Sequence, residues 1–159
     1  MFFDPADYPW TAALARAYAA VRAEFEALRP DDFLPWHEPI YTGEWRVFGL
    51  YGFGHRMDEN CARCPRSAAA VEAVPGLTTA GFSVMGAGTE ILPHVGYTGR
   101  VLRCHLGLVV PADCGLMVEG ETRCWGEGEV MVFDDTGRHS AWNRGASARA
   151  VLLLDFLRP

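Results

Sequence analysis

Two histidines and two arginines in the second half of the chain could do redox chemistry together. His94 stands in Pro93-His94-Val95-Gly96, and His139 closes the run Asp134-Asp135-Thr136-Gly137-Arg138-His139. Arg103 and His105 share a strand-like run between them, and Arg149 opens another. Paired neutral imidazoles hold a redox metal such as iron. An arginine fork grips a carboxylate through two parallel hydrogen bonds. The set points to an iron site with a dicarboxylate beside it. Gly96 stands where the common triad of two histidines and one carboxylate has Asp or Glu.

The elements that must position these residues change character along the chain. Residues 10 to 29 predict one amphipathic helix, with Leu14, Ala17, Tyr18, Val21, Phe25 and Leu28 at helical spacing between Pro9 and Pro30. A strand is expected from Trp45 to Phe53 and a short helix from Ser67 to Val74. From residue 77 onward short strands alternate with turns. They are expected at Thr79 to Met85, Arg100 to Val110, Gly115 to Val118 and Glu121 to Trp125, then at Glu129 to Asp134, His139 to Asn143 and Ala148 to Phe156. Glu119-Gly120 and Gly126-Glu127-Gly128 read as turns. Many short strands with Gly-rich turns indicate a sandwich or jelly roll, here as one domain over residues 1–159.

Alternation puts Val101, Arg103 and His105 on one face of their strand and Leu102, Cys104 and Leu106 on the other. A water-facing side or the wall of a jelly-roll cavity accounts equally for the polar face. His94 follows a proline just ahead of this strand, at the mouth of any barrel the strands form. Asp135 could orient the His139 ring or simply shape a turn. Arg149 enters a very apolar strand, so it sits at a solvent end or is paired inside.

Composition narrows the function classes. A net charge of −6 and a pI near 5.3 argue against a nucleic-acid surface. No run approaches the roughly 18 apolar residues of a membrane span. Five cysteines, an odd number, and no apolar leader suggest reduced thiols and a cytoplasmic setting. Cys61-Ala62-Arg63-Cys64 lacks a second ligand pair and reads as two incidental thiols in a turn.

In this order the residues resemble the aspartyl/asparaginyl β-hydroxylase family of iron(II)- and 2-oxoglutarate-dependent oxygenases. The matching stretches include Pro93-His94-Val95-Gly96, Leu102 to Leu108, Trp125-Gly126-Glu127-Gly128, Val132 to Asp135, His139 to Asn143 and Arg149 to Leu152. Tyr8-Pro9-Trp10 fits the family's opening. The resemblance implies a mainly β, cupin-type double-stranded β-helix. It implies His94 and His139 as iron ligands, with Gly96 at the vacant third position. Ser83, Arg103, His105 and Arg149 match positions that hold 2-oxoglutarate, and Asp135 and Trp142 stand near the metal or substrate. The implied reaction uses O2 and 2-oxoglutarate to hydroxylate an unactivated C–H, such as the β-carbon of an Asp- or Asn-like residue, releasing succinate and CO2. A small-molecule, amino-acid or peptide substrate is expected. Val101, where a basic residue is expected two positions before Arg103, and the absence of large accessory regions argue against an EGF-like protein substrate. A halogenase on the same scaffold and a non-catalytic cupin-like module that binds a metal or small acid are the alternatives.

Overall fold

The computed structural model describes residues 1–159. It begins with β1 (Phe2–Phe3), α1 (Trp10–Arg16), α2 (Tyr18–Glu26), β2 (Leu34–Pro35) and β3 (Tyr41–Thr42). Next come β4 (Trp45–Gly52), β5 (His55–Arg56), α3 (Asp58–Arg63), α4 (Pro65–Glu72), β6 (Leu77–Met85) and β7 (Thr89–His94). The rest is strand: β8 (Val101–Val109), β9 (Cys114–Val118), β10 (Glu121–Arg123), β11 (Val130–Phe133), β12 (His139–Asn143) and β13 (Arg149–Leu157).

Two antiparallel sheets result. The larger runs β1-β11-β8-β13-β6-β4-β2, with β5 added on β4, and the smaller runs β10-β9-β12-β7-β3. β13 explains why they face each other. It is paired on both edges, with β6 and β8, so its apolar run is buried on both faces. Ala150, Leu152, Leu154 and Phe156 join an outer cluster with Leu14 and Val21 of the helices. Val151 and Leu153 point the other way, into a second cluster shared with Leu116, Val118 and Ala141 of the smaller sheet. Period-two alternation thus sends one face of the larger sheet to the helices and the other to the space between sheets. Arg149 and Asp155 have the inward parity.

The expected N-terminal helix is two helices. At Ala17 the backbone N–H is shared between the carbonyls of Ala13 and Leu14, at 3.2 and 3.1 Å, a tightened turn that separates α1 from α2. The apolar face still buries Leu14 and Val21, with Phe25 and Leu28 packed partly behind them. β7 is not among the expected strands, because Pro93 interrupts it. The structure accommodates the proline at an irregularity, where the ladder with β12 skips between His139↔His94 and Ala141↔Ile91. Cys61 lies in α3 and Cys64 caps it rather than lying in a turn, and both are buried in the outer cluster. No helix is long and apolar enough to cross a membrane.

Candidate metal and co-substrate site

β7 and β12 place His94 and His139 directly opposite each other, with ring centroids 4.1 Å apart. Each ring is fixed by a carbonyl two residues back, in β7 for His94 and in the loop entering β12 for His139. Nδ1 of His94 contacts the Leu92 carbonyl at 2.7 Å, and Nδ1 of His139 contacts the Gly137 carbonyl at 2.9 Å. A carbonyl only accepts, so each Nδ1 carries the proton and each Nε2 keeps a lone pair. That is the tautomer a metal needs. Burial pushes His139 down to about 4, so its ring is neutral at physiological pH. No group of three His, Cys, Asp or Glu side chains is disposed around a metal position. The protein offers two ligands.

Behind the histidines, a cavity between the sheets is lined by Ser83, Arg103, His105, Trp125 and Arg149. Arg149 is 2 % exposed and has no carboxylate partner. Its Nη2 reaches Ser83 Oγ at a long 3.3 Å, its guanidinium stacks 4.6 Å from the Trp125 ring, and its Nε has no partner at all. Burial pulls it down to about 9, and it still carries its charge at neutral pH. The Trp125 indole N–H donates to His105 Nδ1 at 3.0 Å. That bond places the His105 proton on Nε2, which is also buried without a partner. Two orphaned donors therefore share one cavity. Leaving buried donors unpaired costs about 1–3 kcal/mol each, more for a charged one. An anionic acceptor between them relieves both.

Arg103 differs from expectation. Its fork is clasped by Asp155, with Nε–Oδ1 at 2.8 Å and Nη2–Oδ2 at 2.9 Å, across the register pair Asp155↔Arg103. Burial, the strongest influence, opposes its charge, but Asp155 outweighs it and holds the guanidinium protonated. Arg103 borders the cavity without presenting a free fork. Its remaining nitrogen, Nη1, faces Asp135 at 3.4 Å.

Asp135 is 1 % exposed, and neither of its oxygens has a hydrogen-bond partner. Burial raises its pKa, partly offset by Arg103. A Cβ built on Gly96 would stand 2.5 Å from Asp135 Oδ1. The space a side chain at position 96 would take is thus filled by the Asp135 carboxylate, from the loop after β11. Trp142 is not brought to the site. It lies on the other face of β12 from His139, with its ring against Gly115 and the Arg144 guanidinium 5.0 Å away. Asp155 is the residue sequence reasoning passed over. Its signal was a lone acid in an apolar strand, with the same parity as Arg149.

Known proteins agree with this architecture. A family profile described as Aspartyl/Asparaginyl beta-hydroxylase matches residues 15–159. The chain is 38% identical to an ornithine lipid ester-linked acyl 2-hydroxylase of Rhizobium tropici, over 99% of this chain and 60% of that protein. It is 35% identical to the aspartyl/asparaginyl beta-hydroxylase of Homo sapiens, over 80% of this chain and 18% of that one. It therefore spans less than two thirds of each of these relatives. Among solved structures, a Pseudomonas putida prolyl-4-hydroxylase superposes with a TM-score of 0.54 at 18% identity, covering 93% of this chain and 88% of that one. A predicted oxalate decarboxylase from Thermotoga maritima gives 0.54 at 15% identity, covering 83% and 99%. These two likenesses speak to the fold, a cupin-type jelly roll. On the profile match and the sequence identities, the chain belongs to the aspartyl/asparaginyl beta-hydroxylase family.

Proposed function

We propose that the protein is an iron(II)- and 2-oxoglutarate-dependent hydroxylase. The observation that carries this reading is the pair of orphaned donors, Arg149 Nε and His105 Nε2, in the cavity behind two imidazoles with free Nε2 lone pairs. A module that held only a metal would have no use for a buried, uncompensated guanidinium, and carrying one is costly. His94 and His139 would hold iron. Arg149 and Ser83 would take the distal carboxylate of 2-oxoglutarate, and His105 Nε2–H would donate to the bound acid. Asp135 would offer acceptor oxygens beside the histidines without joining the ligand set. Bound together, iron and 2-oxoglutarate supply an oxidant for an unactivated C–H, with O2 consumed and succinate and CO2 released. The apolar walls exclude water from that chemistry. A halide beside Gly96 would face the Asp135 carboxylate, like charge against like, which argues against halogenation.

The family resemblance implies an Asp- or Asn-like substrate. A specific observation favours a second class. The groove leading to His94 is broad and largely apolar, and the Rhizobium relative is named for acting on an ester-linked acyl chain. Anaerobic addition of Fe(II) and 2-oxoglutarate is expected to give a visible charge-transfer band. A protein that binds both without any band would refute the oxygenase reading. Full iron binding by His139→Ala would refute the ligand assignment.

A further inference from the structure

A groove of about 450 Å³ opens on His94 and shares Trp45, His94, Arg103 and Leu153 with the cavity behind it, which His139 also lines. That volume lies within the roughly 300–1,000 Å³ of small-molecule sites. Its charged lining is lopsided. Asp32, Glu38, Asp135 and Asp155 stand against the single guanidinium of Arg103. Asp32 is already bound by Arg63, and Asp155 by Arg103. No cation is left over to receive an acidic side chain, so an aspartyl substrate would meet net negative charge.

Much of the rest of the lining is apolar or bare, with His37, Asn60 and Thr79 as its polar exceptions. Gly49 and Gly81 are register partners on β4 and β6, and both line the groove. A Cβ on Gly81 would strike the Phe48 carbonyl oxygen at 2.7 Å, so this part of the floor carries no side chain. A Cβ on Gly49 would meet only the Met57 side chain, Sδ at 2.6 Å and Cε at 3.0 Å. The Met57 thioether therefore lies over the bare strip, and Met57 itself is half exposed ahead of α3. Thioethers are flexible and adapt to apolar ligands. At the rim, Phe53 is 71 % exposed with φ +49, a left-handed conformation that costs a bulky residue about 1–3 kcal/mol. Its ring meets the exposed Tyr97 edge-on at 5.6 Å, on the loop that follows His94. Leu34 and Val95 are exposed among the same lining residues.

We propose that this groove binds a straight aliphatic chain with a neutral or cationic polar end, laid across the Gly49–Gly81 strip, and that Met57 is the stop that sets how long a chain it takes. The charge balance disfavours an acid, the bare floor suits an unbranched chain, and continuity through His94 would bring one carbon of that chain beside the proposed metal position. This deepens the hydroxylase reading and rests on it only for what happens to the chain once bound.

Binding is tested on the full chain without metal. The probe is N-phenyl-1-naphthylamine, a neutral fluorophore that brightens in apolar cavities, displaced by saturated monoacylglycerols of increasing length below their aggregation limits. Each added methylene should tighten displacement about fourfold until a plateau, the apolar transfer increment for one buried CH2. Met57→Trp should bring the plateau to a shorter chain and Met57→Ala to a longer one. A folding defect would instead weaken all lengths alike, and the opposite variant would still report. The proposal is overturned if no chain displaces the probe, if both variants plateau at the wild-type length, or if an aspartyl peptide competes as well as the acyl series. A charge-transfer band with Fe(II) and 2-oxoglutarate in protein that fails this test would sink the chain proposal and leave the oxygenase reading standing. Displacement without the band would do the reverse.

Discussion

Arg103 and Arg149 are two buried guanidiniums facing the same interior from neighbouring strands, and they are kept there in opposite ways. Arg103 is forked by Asp155 and faced by Asp135. Arg149 has a long contact to one hydroxyl, a tryptophan face, and nothing of opposite charge. A buried charge with partners belongs to the protein's own architecture. One without partners is held for something the protein does not supply. On the proposed function, the contrast separates an arginine that builds the site from one that would receive a ligand, although both are inward-facing arginines on apolar strands.

The largest effect expected from this contrast is on folding. Arg103→Met leaves Asp155 buried and uncompensated, and should lower stability in ligand-free urea melts by about 3–5 kcal/mol. Arg149→Met removes a charge that nothing balances. Its ligand-free stability should equal or exceed that of the unaltered chain, while 2-oxoglutarate affinity by calorimetry falls by about 2–5 kcal/mol. If the two variants destabilise the ligand-free protein equally, the distinction fails.

A pH titration sharpens the same contrast. His139 sits at about 4 when folded, chiefly through burial and in smaller part through Arg103, against an ordinary 6.5. Between those values the unfolded chain binds the extra proton, so stability should rise with pH through that window. The gain is complete above about 6.5 and gone below about 4, at most about 3 kcal/mol. In Arg103→Met the lower edge of the window should move up; an unmoved edge would remove Arg103 from the histidine's surroundings. Smallest is Asp135→Asn. It keeps the Arg103–Asp155 fork, so thermal unfolding should change little, while Co(II) affinity read from its visible spectrum drops about 10- to 100-fold. Unchanged Co(II) binding would make Asp135 a mere counter-charge for Arg103.

Much of the site was legible because strand parity is local. Leu102, Cys104 and Leu106 pointing away from Arg103 and His105 followed from alternation alone, and the same rule carries Arg149 inward. Applied further, parity also corrects Trp142. It is an odd number of residues from His139, so the two cannot share a face of β12. Asp155 shares the parity of Arg149 but was absorbed into an apolar run. What no local rule reaches is the meeting of Gly96 with Asp135, since two loops from different hairpins converge there only after the sheets close. β7 was hidden because a proline normally forbids a strand, and only the ladder's irregularity admits it.

The imidazole tethers have a consequence for engineering. Each imidazole is held by a carbonyl two residues back, Leu92 within β7 and Gly137 in the loop entering β12, so neither tether comes from the helices, the β4–β5 hairpin or Met57. If the proposed function holds, the groove walls can be redesigned for new substrates while the two imidazoles keep their alignment. Reach and reactivity are separate modules in this chain, and laboratory evolution could vary one with the other left alone.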